Sequence, residues 1–422
     1  MELRFLGGAR EVGRSAVLVD DTLLLDYGMA STNPPSYPVG SPDPEAVVVS
    51  HGHLDHVGAL PALLSGRARP PVHWTPPTRE FALTLARDTL KLHGGTPHCP
   101  FTETDVARLT QVSETHGYGE SFEAAGYEIT LYNAGHIPGS AHVLVDDGDA
   151  RLLYTGDFHV GNPERPRAPA PENGQRLVAP STERPDADVV ICESTYADVT
   201  HADRAETEER FARALRETVV GGGTVVVPAF AIGRTQEVLL ACAANDVECY
   251  VDGMGKRVTR MLNSHPEFVR DADALQRATS RARFVTGRDG QRKRIAAQNT
   301  VVVTTSGMLS GGPAMTYVPE IRGHPTNLVA FVGYQVEGTP GRELLETGSA
   351  ELDGRVMPVA ARTDLFEFSA HADRPGLESF LADYEDARVL CNHGDRCAWF
   401  AGELREAGYD ASAPELGETV TV

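Results

Sequence analysis

Eight apolar runs of four to six residues, rich in Val, Ile and Leu, punctuate the chain: Ala46–Ser50, Tyr127–Tyr132, Arg151–Tyr154, Asp188–Cys192, Thr224–Val227, Thr300–Thr304, Asn327–Val332 and Arg388–Cys391. Runs this short and apolar read as buried strands, and helical periodicity fills stretches between them. Phe211, Leu215 and Val219 repeat at helical spacing within Arg204–Val220, with Gly221 as the stop. Cys397, Phe400, Ala401 and Leu404 mark one face of another helix. Strands alternating with helices limit the chain to the α/β class. Its 422 residues exceed one ordinary core, so two or three domains are expected.

Composition narrows the setting. With 59 acidic and 38 basic side chains the formal charge is −21, and lysine occurs only at Lys91, Lys256 and Lys293. Such a field keeps a protein soluble where salt screens strongly, so a salt-adapted surface is expected rather than a partner-binding one. No apolar run approaches the roughly 20 residues of a membrane span, and MELRFLGGAR lacks a signal-peptide pattern; no membrane association and a cytoplasmic location are expected. The six cysteines form no CxxC pair, which argues against a zinc ribbon. Gly161–Pro185 is Pro-rich and aperiodic, and reads as a long surface loop or linker.

The densest chemical signal is His51-Gly52-His53-Leu54-Asp55-His56, directly after the strand AVVVS. In an extended segment residues two apart point the same way, so His51 and His53 can grip one ion. A helix beginning there would place Asp55 and His56 in its first turn, facing a second ion. Imidazole and carboxylate are ligands that zinc accepts, and packing does not explain so dense a mixture. The bland alternative is a polar surface turn. His136, Asp157, Glu193 and His393 each follow or end an apolar strand, at the carboxyl edge where open α/β sheets place their sites. Any one alone reads as a satisfied loop residue; four at one edge, beside a metal cluster, read as a site. Asp26, ending TLLLD, is expected to orient a ligand histidine from behind.

Asp26, HGHLDH at 51–56, AGHIPGSA with His136 and YTGD with Asp157 together resemble the four motifs of metallo-β-lactamase-fold hydrolases. ICESTYAD, VVPAFAIGRTQEVLL, VTTSGMLSGGPA, FSAHAD and CNHGD resemble the β-CASP branch, whose nucleases include the endonuclease subunit of cleavage and polyadenylation specificity factor. HLDHVGALP and GMLSGGPA look closer to that group than to the RNase J group. The resemblance implies an αββα metallo-β-lactamase sandwich at 1–195 and 355–422, split by a β-CASP α/β cap at 196–354. It implies two zinc ions, with manganese or iron compatible with the same nitrogen and oxygen donors. His51, His53 and His136 would hold one, Asp55, His56 and His393 the other, and Asp157 would bridge. Glu193 and His371 match the branch's motif A carboxylate and motif B histidine, with His371 as proton donor. A histidine at position 393, where DNA-processing members typically have valine, favours RNA.

Substrate contacts are less marked. Arg234, Ser306, Gly307 and Ser369 are candidates, Arg234 more readily as an inter-domain strut than as a phosphate contact. Arg281, Arg283, Arg288, Arg292, Lys293 and Arg294 form the clearest basic cluster, which more commonly means a solvated helix face than a phosphate track. The remaining histidines, His73, His116 and His142 among them, are read as structural or surface residues. The first strand begins almost at Met1, so no RNA-binding module is expected before it, and target choice falls to the cap or to RNA-processing partners; a homodimer is equally open. The expected activity is RNA phosphodiester hydrolysis, endonucleolytic, in 3′-end processing or turnover. Its rivals are a 5′→3′ exoribonuclease, a small-substrate hydrolase of the same fold and a non-catalytic RNA-binding scaffold.

Overall fold

A computed structural model describes all residues except 33 and 289. The chain forms two compact units, one of 1–164, 180–200 and 370–422, the other of 165–179 and 201–369.

The first unit holds two seven-stranded sheets. One runs in the order Thr419–Thr421, Glu2–Gly7, Ala16–Val19, Leu23–Leu25, Ala46–Val48, Val72–Trp74, Ser113–Thr115. The other runs Asp410–Ser412, Arg388–Asn392, Val189–Glu193, Arg151–Tyr154, Ala141–Asp146, Tyr127–Asn133, Ser121–Ala124. Alternate side chains of a strand face opposite ways, and the sequence uses both faces. Leu23, Leu25 and Val48 of the first sheet join Ile129, Tyr154, Ile191 and Leu390 of the second in one core. Leu24, Val47 and Val72 point outward under the helices Pro76–His93 and Glu103–Gln111. Leu153, Val190 and Val389 do the same under Arg374–Leu381 and Cys397–Glu406. Apolar residues on both faces therefore produce four layers, helix–sheet–sheet–helix.

The second unit is a six-stranded parallel sheet in the order Arg283–Phe284, Cys249–Asp252, Val301–Thr304, Val225–Pro228, Leu328–Phe331, Arg362–Leu365. Its central strands VVVP and VVVT are buried throughout, as sheets covered on both faces require. Helix Arg204–Val220 spans the expected residues, with Asp203 capping it by accepting from Glu206 N–H.

Two limits differ from those expected. The return to the first unit comes at Ala370 rather than at 355, because Arg362–Leu365 pairs in register with Leu328–Phe331 as an edge strand of the parallel sheet. The segment 165–179, read as surface loop, belongs to the second unit and buries Gln175, Leu177 and Val178. Glu237 accepts from the backbone N–H groups of Arg176 and Leu177 at 3.0 and 2.8 Å, and Arg176 pairs with Glu208 at 2.8 Å. Proline-rich composition concealed a segment satisfied by a distant helix.

Candidate metal centre

The sandwich edge collects the ligand-type residues because its strands end there. Asp26 follows Leu23–Leu25, His51 and His53 follow Ala46–Val48, and Asp55 and His56 lie on the single turn Leu54–Val57. His136 follows Tyr127–Asn133, Asp157 follows Arg151–Tyr154, Glu193 ends Val189–Glu193 and His393 follows Arg388–Asn392.

Two groups of donors result, His51, His53, His136 and Asp157 in one, Asp55, His56, Asp157 and His393 in the other, each with its atoms within 4.8 Å of one another. Asp157 belongs to both and divides its oxygens between them. Its Oδ2 lies 3.5 Å from His51 Nε2 and 3.8 Å from His136 Nε2, while Oδ1 lies 3.4 Å from His56 Nε2 and 3.2 Å from His393 Nδ1. Within the groups, His136 Nε2 is 3.0 Å from His53 Nδ1, and His393 Nε2 is 3.4 Å from Asp55 Oδ2. Donors on a tetrahedral zinc with arms of 2.0–2.1 Å would stand about 3.3 Å apart. Most of the cluster is buried; His53, Asp55 and His371 are partly exposed and mark its open side.

Divalent cations fit these residues on chemical grounds. His51 Nε2 and Asp157 Oδ1 are buried without a hydrogen bond, which a native interior avoids unless another partner satisfies them. Burial first, then neighbouring histidines, hold the His51 and His136 pKa values well below normal; burial also brings His53 down to about 4. All three are thus neutral, the form that binds metal. Burial would raise the Asp157 carboxyl, but His393, His56 and His51 outweigh it and hold it ionised.

The cluster is held from behind. Asp26 accepts from Ser50 N–H and Ser50 Oγ–H at 2.7 Å, from Tyr154 O–H at 2.9 Å and from His56 Nδ1 at 2.7 Å, so His56 presents Nε2 to Asp157. His136 Nδ1 donates to the Ala370 carbonyl at 2.8 Å. Asp26 and His393 both have positive φ, 57° and 49°, a region costly for residues other than glycine and typical of functional sites. Backbone bonds pin His393 there: its N–H donates to Gly8 O at 2.7 Å, and its carbonyl accepts from Ser194 N–H and Thr195 Oγ–H at 3.1 Å. Sequence reading missed Ser50, Tyr154 and Thr195; Ser50 alone had a signal, its place beside His51.

Beyond the ligands, His371 Nδ1 lies 3.1 Å from both oxygens of Glu193, and Glu193 Oε1 also accepts from Phe158 N–H at 2.8 Å. The other nitrogen, Nε2, faces the cluster, 4.0 Å from Asp157 Oδ2. Burial would lower this imidazole's pKa, but Glu193 and then Asp157 raise it to about 9. His371 thus holds its proton beside the donor cluster.

Arg234, Ser306, Gly307 and Ser369 all belong to the second unit, just past the strands Val225–Pro228, Val301–Thr304 and Arg362–Leu365. Ser306 Oγ accepts from Ser310 N–H at 2.9 Å, and the Gly307 carbonyl accepts from Gln335 Nε2 at 3.2 Å. In the basic run, Arg281, Arg283, Arg292 and Lys293 pair with Asp246, Glu248, Asp252 and Glu320. His142 is structural, bonded to the Thr155 carbonyl and Ser181 Oγ at 2.8 Å. His73 and His116, read as structural or surface residues, stand 3.0 Å apart.

Comparison with known proteins agrees along the whole chain. Residues 9–212 match the metallo-beta-lactamase superfamily, 236–344 the Beta-Casp domain and 356–414 the Zn-dependent metallo-hydrolase RNA specificity domain. The chain is 35% identical to RNase aCSPSF2 of Saccharolobus solfataricus over 100% of its own length and 85% of that protein. It is 30% identical to the Probable RNase MJ4 of Methanocaldococcus jannaschii over 100% of both, and 30% identical to the transcription termination factor FttA of Pyrococcus abyssi over 98% of this chain and 70% of that one. A crystal structure of a protein of unknown function from Enterococcus faecalis shares the fold, with a TM-score of 0.61, 11% identity and coverage of 100% and 99%. With four strand-end motifs around one aspartate and matches that span the chain, it belongs to the metallo-β-lactamase superfamily of metal-dependent hydrolases, in the branch that carries a β-CASP domain.

Proposed function

We propose that this protein is a two-zinc ribonuclease of the cytoplasm that cleaves RNA internally, in 3′-end formation or turnover. The observation that carries this reading is the division of Asp157, one oxygen toward His51 and His136, the other toward His56 and His393. His51, His53 and His136 would hold one cation and Asp55, His56 and His393 the other, with Asp157 shared. A pair of divalent cations, when bound, supplies Lewis acidity to a water and to the scissile phosphate. In-line attack by water on phosphorus breaks the bond to the 3′ oxygen and leaves 3′-hydroxyl and 5′-phosphate ends. His371 Nε2 protonates the departing oxygen, while Glu193 holds the Nδ1 proton and keeps the ring cationic. Arg234, Ser306, Gly307 and Ser369 are proposed to contact RNA. Relatives named as RNases and as a termination factor support both the substrate and the 3′-end role. Among the described residues no helix is long and apolar enough to cross a membrane.

The test is end-labelled RNA bearing 5′-hydroxyl or 5′-monophosphate, with and without chelator, in high potassium chloride. Internal products from both RNAs, abolished by chelator, are expected. Mononucleotides from the monophosphate alone would make the enzyme an exonuclease, and chelator-resistant cleavage would remove the metal from the reaction.

A further inference from the structure

Away from the centre, the edge of the first sheet gathers a second group of donors. Strand Val72–Trp74 lies parallel to Ser113–Thr115 with His73 opposite Glu114, so the two side chains share a face. His116, two residues beyond Glu114 and bonded through its N–H to Trp74 O at 2.9 Å, returns to that face. His73 Nδ1 lies 3.0 Å from His116 Nε2 and 3.7 Å from Glu114 Oε2, and all three donor atoms lie within 4.8 Å of one another. These separations bracket the roughly 3.3 Å of donors on one tetrahedral zinc. Phe122 stacks on His116 at 3.6 Å and on His73 at 4.9 Å, which fixes both rings.

His73 is the anomaly. Its register neighbour on the sheet's inner face is Val48, a member of the sandwich core, yet this position carries an imidazole. Burial is the first cause that lowers the pKa of both histidines, so each offers a lone pair at neutral pH. A hydrogen bond between the two rings would account for His73 and His116 without assigning any role to Glu114, whose side chain reaches toward them from the solvent side.

We propose that His73, Glu114 and His116 form a further binding site for a divalent transition-metal cation such as zinc, with its fourth position open to water beside Glu114. Ligation through His73 Nδ1 puts a proton on Nε2, which is buried with no hydrogen-bond partner. The site is therefore expected to bind more weakly than the cluster around Asp157 and to release its ion first to a chelator.

Zinc titrated into the full chain against a chromophoric chelator tests this. His116→Gln should bind one equivalent fewer than wild type, and Glu114→Gln should bind the weaker equivalent at least tenfold less tightly, both with unchanged RNA cleavage. The difference between variant and wild type counts this site alone, whatever number the Asp157 cluster takes. A thermal melt establishes that His116→Gln is folded; Glu114 is exposed, so its variant does not depend on repacking. Unchanged stoichiometry in a folded His116→Gln, or unchanged affinity in Glu114→Gln, overturns the site.

Discussion

At the residue scale, one carboxylate organises the centre and another supports it. Asp157→Ala removes the one group that, among the described residues, belongs to both donor sets, so RNA cleavage should fall by roughly a thousandfold or more, with bound zinc reduced and the fold retained by circular dichroism. Full activity in that variant would contradict its proposed bridging role. Asp26 touches no proposed ion, yet it accepts four hydrogen bonds and fixes His56. Asp26→Asn should therefore weaken metal affinity by about 10–100-fold, read by chelator competition. The pH profile isolates His371. In the metal-free protein its pKa is raised to about 9, so the proton-donating form is lost as pH rises through about 9, and bound cations, which repel that proton, move the loss to lower pH. The rate under saturating metal should fall along that limb. In Glu193→Gln, without the charge that holds the proton, the fall should begin at lower pH; an unmoved limb would assign it to another group.

At the element scale, Glu237 joins the segment 165–179 to the helix Arg234–Ala244. It is fully buried, pairs with the nearly buried Arg204 and caps two backbone N–H groups. Glu237→Ala leaves that cation and both donors uncompensated and should cost about 3–5 kcal/mol in a denaturant melt of the whole chain. A change below about 1 kcal/mol would show that water replaces the carboxylate. This segment also shows where sequence reading stops. What is local was legible: His51 and His53 two apart in an extended stretch, helix Arg204–Val220, polar residues closing apolar strands. What depends on distant partners was not. RTDL at 362–365 has no apolar signature because it is a sheet edge, and its pairing with 328–331 cannot be read from either segment alone. His73 and His116 lie 43 residues apart and meet only because two parallel strands are neighbours.

At the scale of the whole molecule, the net charge of −21 governs behaviour in solution. Four members of the clearest basic cluster are already paired with carboxylates, so they offer little positive surface to offset this self-repulsion. Screening shortens as salt rises, and the thermal midpoint should climb by several degrees between about 0.1 M and about 2 M potassium chloride. A flat or falling midpoint would deny the surface its salt adaptation. Chain order adds a consequence of its own. His393, held at positive φ, completes the second donor set with Asp55, His56 and Asp157, and is made long after His51. A ribosome translating this message is thus building its product beside RNA, and one donor set of the growing chain stays incomplete until that histidine has been made. Chains stopped short of that histidine should leave transcripts whole.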